Sequence, residues 1–343
     1  MALLTKIFSG QKVEKTPCWL MRQSGRYLPE YMELRSKASN FVDFCLTPHI
    51  ATEATLLPFQ RYDFDAAIIF SDILIIPHAL GQDVSFITGK GPQLSRLSQP
   101  SDLQALTTKK LPDVVAPVFE AIAAVRSRLP HEKDLIGFAG SPWTVACYML
   151  EGQTSKTFSN AKTFAFKYPE AFQELLQLLV QATSDYLIQQ VDAGAQVIQL
   201  FDSWASSVPE AQFDSWVVHP TRQIVSSVKA RHPGVPIIGF PRGVGPLYLE
   251  YVSGTGVDGV SLDSFLPLKW ALENLPNNVV LQGALDPQIL VVGGALMEQE
   301  VKRQLALVAG RPHIFNLGHG IVPETPPEHV ETLLDLVKAG HEQ

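Results

Sequence analysis

Ala195-Gln196-Val197-Ile198-Gln199-Leu200-Phe201-Asp202-Ser203 reads as one strand and its exit, a largely apolar run that ends on polar residues. Upstream, residues 172–191 are rich in Leu, Ala and Gln and read as a helix. A short run rich in Ile, Val and Phe suits a strand buried on both faces of a parallel sheet. The same unit recurs along the chain, with runs at 17–21, 66–70, 135–139, 195–201, 235–240, 258–262, 279–285 and 313–317. Helix-like stretches such as 298–308 lie between them. Eight alternations of strand and helix in 343 residues predict an α/β fold, a (β/α)8 TIM barrel. The alternative is a doubly wound open sheet, which normally opens on a glycine-rich phosphate turn. Gly254-Thr255-Gly256-Val257-Asp258-Gly259 precedes a strand instead of following one, so it is a poor match. Residues 83–97, turning at Gly89-Lys90-Gly91-Pro92, predict a β-hairpin added to the barrel.

Composition narrows the function classes. Hydrophobic residues are 46% of the chain and charged residues 18%, enough to bury a full core. A net charge of −7 argues against non-specific binding to nucleic acid or to a membrane surface, which would want a basic excess. Cys18, Cys45 and Cys147 are widely spaced with no CxxC, which fits reduced thiols better than a disulfide framework. No apolar run approaches membrane-spanning length, and the first twenty residues lack a secretory pattern. The expectation is a cytoplasmic protein, or one of an organelle stroma had a transit peptide been removed.

In barrels of this type the chemistry collects at the carboxyl ends of the strands. The residues just past the runs are Arg22, Ser71-Asp72, Gly140-Ser141, Asp202-Ser203, Arg242, Asp263, Asp286 and Gly318-His319-Gly320. Asp72 lies in Ile68-Ile69-Phe70-Ser71-Asp72-Ile73-Leu74-Ile75, an apolar setting in which an unpartnered carboxylate is costly. It reads either as a helix cap or as a functional carboxylate aimed into the barrel mouth, and its neighbours favour the second. Ser141 and Pro142 read as the N-cap and first position of a helix whose free N–H groups would suit an anion. Tyr148 follows Thr144 by one helical turn and reads equally as core. The glycines beside His319 would allow unusual backbone angles or close approach of a ligand. Asp202 reads as a cap or as a site residue.

The run Pro17-Cys18-Trp19-Leu20-Met21-Arg22-Gln23-Ser24-Gly25-Arg26-Tyr27-Leu28-Pro29-Glu30-Tyr31 adds the sharpest chemical signal. Two guanidinium groups four residues apart repel unless an anion sits between them, and their forked donors match carboxylate oxygens. Set among aromatic and apolar residues, they read as a polyanion-binding loop. Ser-His-Asp order, HExxH, a Walker loop and metal-ligand spacing are all missing from the sequence. The residues alone therefore predict an arginine-lined site for a carboxylated substrate, with the reaction left open.

Residues 17–26 and 137–152 resemble the two signatures of the uroporphyrinogen decarboxylase family, and 68–77, 199–203 and 316–320 are similar to further family segments. The resemblance covers essentially the whole chain. It implies a single distorted (β/α)8 barrel domain over residues 1–343, usually a homodimer. It also implies removal of carbon dioxide from all four acetate arms of uroporphyrinogen III to give coproporphyrinogen III, in haem and chlorophyll synthesis, with no metal or organic cofactor. By the resemblance, Arg22, Gln23, Ser24, Gly25 and Arg26 form the substrate-binding loop. Asp72 matches the aspartate that coordinates the pyrrole N–H groups, with Asp72, Arg22 and Arg26 as the catalytic set. Tyr148, Ser203 and His319 match substrate contacts, and Phe201 part of an apolar wall. Two other functions compete. A corrinoid-linked methyltransferase would need a His-x-Cys zinc site, and none of the three cysteines has a histidine two residues before it. A catalytically dead tetrapyrrole-binding barrel would not need Arg22, Arg26, Asp72, Tyr148 and His319 together.

Overall fold

The computed structural model describes residues 2–87 and 89–340; of the 1–343 span, residues 1, 88 and 341–343 lie outside the described residues. Thr88, within the expected hairpin, is among them. Seven parallel strands form one curled sheet: β1 (Ala66–Ile68), β4 (Asp134–Gly140), β5 (Val197–Asp202), β6 (Ile237–Pro241), β7 (Gly259–Ser261), β8 (Val280–Gln282) and β9 (His313–Ile314). Their order around the sheet is their order in sequence. Helices follow the strands, among them Pro142–Glu151 after β4, His219–Arg231 after β5 and Tyr248–Thr255 after β6. Consecutive parallel neighbours joined by helices are the (β/α)8 pattern, and a doubly wound reversal of strand order does not occur among the described residues.

The first expected strand, residues 17–21, is irregular. It still fills the eighth position of the ring. Cys18 makes a parallel bridge to Phe315, Phe315 N–H donates to Pro17 O at 2.8 Å, and Asp65 N–H donates to Cys18 O at 2.9 Å. The segment therefore joins β9 to the start of β1 and closes the barrel with single bonds instead of a ladder, which is the distortion. The expected hairpin is present as antiparallel β2 (Val84–Ile87) and β3 (Gly91–Leu94).

Three apolar clusters follow from this topology. Trp19, Met21, Ala66, Ile136, Val197, Ile238, Phe240, Val280 and Ile314 fill the barrel, plugged by Leu4 and Ile7 of the first helix, Leu3–Phe8. The other two lie between the strands and the helical shell. Inside the barrel one polar chain is buried with its partners: Trp19 Nε1 donates to Gln282 Oε1 at 2.9 Å, and Gln282 Nε2 donates to Gln199 Oε1 at 3.0 Å and Ser261 Oγ at 2.6 Å. Buried amides satisfied in this way hold neighbouring strands in register without an unpaired donor.

Candidate active site

The loop after the first barrel segment is built around a strained arginine. Leu20 O accepts from Gln23 N–H at 3.0 Å, a four-residue turn whose third residue, Arg22, has φ 62°. That left-handed conformation favours glycine, and a long side chain holds it only where the surroundings impose it. They do so from both sides. Met21 N–H donates to Asn316 Oδ1 at 3.0 Å, and Ile321 N–H donates to Met21 O at 2.8 Å. Gln23 is buried, its carboxamide accepting from Leu20 N–H at 3.2 Å and donating to Ala66 O at 3.1 Å. Its side chain thus pins the loop to β1 and is committed to the backbone. Gly25 is needed for space, since a Cβ there would lie 2.9 Å from Arg22 O. Ser24 is half-buried with its hydroxyl unpartnered, and Arg26 is exposed.

The glycines beside His319 have a reason different from the one the sequence suggests. Neither has a left-handed φ. A Cβ on Gly320 would overlap the Arg22 side-chain stem, and one on Gly318 would overlap Ser264. The last loop is therefore flattened so that Arg22 can cross it. His319 Nδ1 accepts from Gly320 N–H at 2.6 Å, which leaves the ring proton on Nε2. Burial, with the positive charges of Arg22 and Arg242 beside it, lowers the His319 pKa to about 4. At neutral pH it is an uncharged donor. Arg22, His319 and Arg242 share a cavity of about 360 Å³.

Asp72 is half-buried beyond β1. One oxygen, Oδ1, accepts from Leu74 N–H at 2.8 Å, while Oδ2 has no hydrogen-bond partner among the described residues. Asp72 is not the helix cap, since Leu74 holds that position before the helix Ile75–Ala79; one oxygen braces the turn and the other stays free. Burial raises the Asp72 pKa to about 6 against the Leu74 hydrogen bond and the Arg22 charge. Burial and the Asp72 charge also push the Tyr148 phenol up while Arg22 opposes them, so the three lie within electrostatic reach of one another. Tyr148 packs tilted against Trp204 with centroids 4.0 Å apart, and Phe138, Phe201 and Phe240 form a separate edge-to-face chain of rings.

The helix Pro142–Glu151 begins as expected, with Ser141 at the cap position, but the Ser141 hydroxyl makes no capping bond and is buried without a partner. Asp202 does not cap a helix either. It is wholly buried at the end of β5, where Thr144 Oγ1 donates to its Oδ1 at 2.5 Å and its Oδ2 has no partner. Burial raises its pKa to about 7. The same Thr144 hydroxyl accepts from Trp204 N–H at 3.1 Å, linking Asp202 to the ring that packs on Tyr148. Ser203, next along, is half-buried and its side chain has no hydrogen bond.

Sequence reasoning passed over two arginines. Arg242 appears among the strand ends but nothing adjacent marks it. Arg35 ends the helix Pro29–Arg35, and its guanidinium lies 5.5 and 5.4 Å from the ring centres of Phe41 and Phe44. The spacing of Arg35 from Phe41 and Phe44 was the available signal. Neither arginine has an ion pair among the described residues, and no three His, Cys, Asp or Glu side chains there form a metal-holding cluster.

Comparison with known proteins fits this geometry. Residues 1–340 match the family described as Uroporphyrinogen decarboxylase (URO-D). The chain belongs to this family. It is 52% identical to the uroporphyrinogen decarboxylase of Rhodospirillum rubrum over 96% of this chain and 95% of that protein. It is 47% identical to that of Maricaulis maris over 98% and 97%. Among solved structures, a methyltransferase from Methanosarcina mazei superposes with TM-score 0.78 over 98% of this chain and 97% of the other, at 20% identity. That likeness concerns the fold alone. Among the described residues, no helix is long and apolar enough to cross a membrane.

Proposed function

We propose that this chain removes the four acetate carboxyl groups of uroporphyrinogen III, giving coproporphyrinogen III and carbon dioxide, in tetrapyrrole synthesis. It does so as a single barrel domain, in a homodimer, in the cytoplasm. The observation that carries the reading is the free Asp72 oxygen within electrostatic reach of Arg22, in a mouth with an aromatic wall. Decarboxylation leaves an electron pair on the departing carbon, and most enzymes supply a cofactor as the sink. A pyrrole serves as its own sink. Protonation of the ring carbon beside the acetate-bearing position gives an iminium-like cation. Loss of carbon dioxide passes its electron pair to the ring as an exocyclic methylene. Protonation of that methylene, with loss of the first proton from the ring carbon, gives the methyl group and restores the pyrrole.

Each residue then has one task. Asp72 Oδ2, anionic above pH about 6, accepts from the pyrrole N–H groups and stabilises the cation; aimed charge of this kind is often the largest catalytic contribution. Arg22 and Arg26 bind substrate carboxylates. Tyr148, Ser203, His319 Nε2–H and the unpartnered Ser24 hydroxyl donate to the substrate, and Gln23 and Gly25 hold the loop. Phe201 and its aromatic neighbours withdraw water from the reacting acetate. With a pKa near 4, His319 is no source of the ring proton at neutral pH. Anaerobic incubation with reduced uroporphyrinogen III, followed by oxidation and chromatography, tests the reading. Tetracarboxylic product is expected, and an unchanged octacarboxylic substrate would refute it.

A further inference from the structure

We propose that Arg242 anchors a propionate carboxylate of the substrate, opposite Arg22 in the cavity at the β6–β9 side of the mouth. The inference rests on the decarboxylase reading and extends it to a residue outside the Arg22–Arg26 loop. Arg242 follows β6, half-buried, with its Nε buried and without a hydrogen-bond partner. Nε has given up water and gained no partner in return, which is costly unless a ligand completes it, while the rest of the half-exposed guanidinium stays open to a carboxylate.

The acidic neighbours do not complete it. Asp263 Oδ2 accepts from Gly243 N–H at 2.7 Å and Tyr248 OH at 2.9 Å, and its Oδ1 from Phe265 N–H at 2.8 Å and Leu266 N–H at 3.2 Å. Asp286 Oδ1 accepts from Gln288 N–H at 2.8 Å, capping the helix Pro287–Val292. The cavity therefore sets two guanidinium groups against one carboxylate, Asp286, which pairs with neither of them, and its lining keeps an excess of positive charge. Both cations depress the imidazolium form of His319, which agrees with an unneutralised positive field. Phe265, 73% exposed, lies with its ring centre 5.9 Å from the Arg242 guanidinium and shields one side of it.

The ligand is a propionate and not the reacting acetate for two physical reasons. Ser264, Asp286 and Gln288 put polar and charged groups beside Phe265, Pro287 and Val322 at this end of the mouth. A carboxylate about to lose carbon dioxide needs the opposite, the water-poor aromatic wall near Tyr148. Moreover, each acetate becomes a methyl group as it reacts, whereas all four propionates persist through every round. Only a propionate anchor keeps its ligand from first step to last.

Coproporphyrinogen III, which carries propionates and no acetates, is the probe. Its inhibition constant and the KM for uroporphyrinogen III are measured anaerobically in wild type, Arg242→Gln and Arg242→Lys, with circular dichroism to verify folding. Arg242→Gln is expected to raise both constants by the same factor, about 30-fold or more. Arg242→Lys, which keeps charge but loses the fork, is expected to fall between, and carries the test if the Gln variant does not fold. A rise for uroporphyrinogen alone would assign Arg242 to an acetate and overturn the proposal, as would no change in either constant. Lack of turnover by the wild type would instead remove the decarboxylase reading. Coproporphyrinogen binding lost in Arg242→Gln would still support the subsite.

Discussion

The two ends of the barrel carry carboxylates in very different states. At the amino ends of the strands, Asp65 accepts from Cys18 N–H at 2.9 Å and pairs with Lys15 at 2.7 Å. Asp258 accepts from Ile237 N–H at 2.7 Å and pairs with Lys229 at 2.7 Å. Asp134 is the exception there: its Oδ2 holds the start of the first helix through Leu4 N–H at 2.8 Å and Thr5 N–H at 3.2 Å, but its Oδ1 is buried without a partner and burial raises its pKa. At the carboxyl ends, Asp72 and Asp202 each leave an oxygen unpartnered, and Arg22, Arg26 and Arg242 have no acidic partner among the described residues. One end spends its charges on closing the fold. The other leaves two carboxyl groups and three arginines short of partners and available to a ligand, as functional sites do.

The largest expected effect belongs to Asp72. Electrostatic stabilisers contribute about 3–4 kcal/mol to a transition state, so Asp72→Asn should lower kcat by several hundredfold while the thermal midpoint barely moves. In the wild type kcat/KM should fall about tenfold per pH unit below pH about 6, as Asp72 takes up its proton, and the variant should lose that limb. Wild-type turnover by folded Asp72→Asn would make the residue a turn cap only.

Next come the arginines, which the structure separates. Both are exposed, but Arg22 lines the cavity with His319 and is held in a strained conformation, while Arg26 acts on buried Tyr31 only at a distance. Arg22→Ala should cost about 2–3 kcal/mol in kcat/KM and Arg26→Ala clearly less. Equal losses would mean that substrate binding reorders the loop.

The amino end should respond the other way. Asp65→Ala removes the partner of Lys15 and of Cys18 N–H where the barrel closes by single bonds, at a cost of about 2–3 kcal/mol of stability. The expected result is a lowered urea midpoint with kcat unchanged per folded molecule. A fall in kcat without a fall in stability would erase the distinction between the two ends.

How much of this could be read from the residues alone follows from the range of each interaction. The strand runs and the hairpin are local patterns of side-chain type, and the positions just past each run point to the mouth because parallel strands all leave at one end. What lay out of reach was pairing across the chain. Thr144 and Asp202 are 58 residues apart, Met21 and Asn316 are 295 apart, and neither partner advertises the other. Gln23 reads as a loop residue until Ala66 O is found beneath it. The glycines at 318 and 320 look like hinges, yet they serve Ser264 and the Arg22 stem. Arg242 was visible as a strand-end cation, but a lone cation says nothing until its acidic neighbours are found to be engaged elsewhere.

The last effect is graded with pH and concerns Asp202. Burial lifts its pKa from the ordinary carboxylate value of 3.8 to about 7. Between those values the folded protein holds a proton that the unfolded chain has released, so this group's contribution to stability is full below pH about 4 and is lost as pH rises through about 7. The slope is at most about 1.4 kcal/mol per pH unit, and water entering beside the unpartnered Oδ2 would make it shallower. Asp202→Asn keeps the Thr144 contact without the charge. Unfolding midpoints should therefore show the variant equal to or below wild type at pH 5 and above it at pH 8. Tyr148 is positioned through Thr144 and Trp204, so KM should change little in either condition. Parallel stability curves for the two proteins from pH 5 to pH 8 would mean that Asp202 stays ionised, and that the carboxyl end of the barrel holds its charge at no cost there.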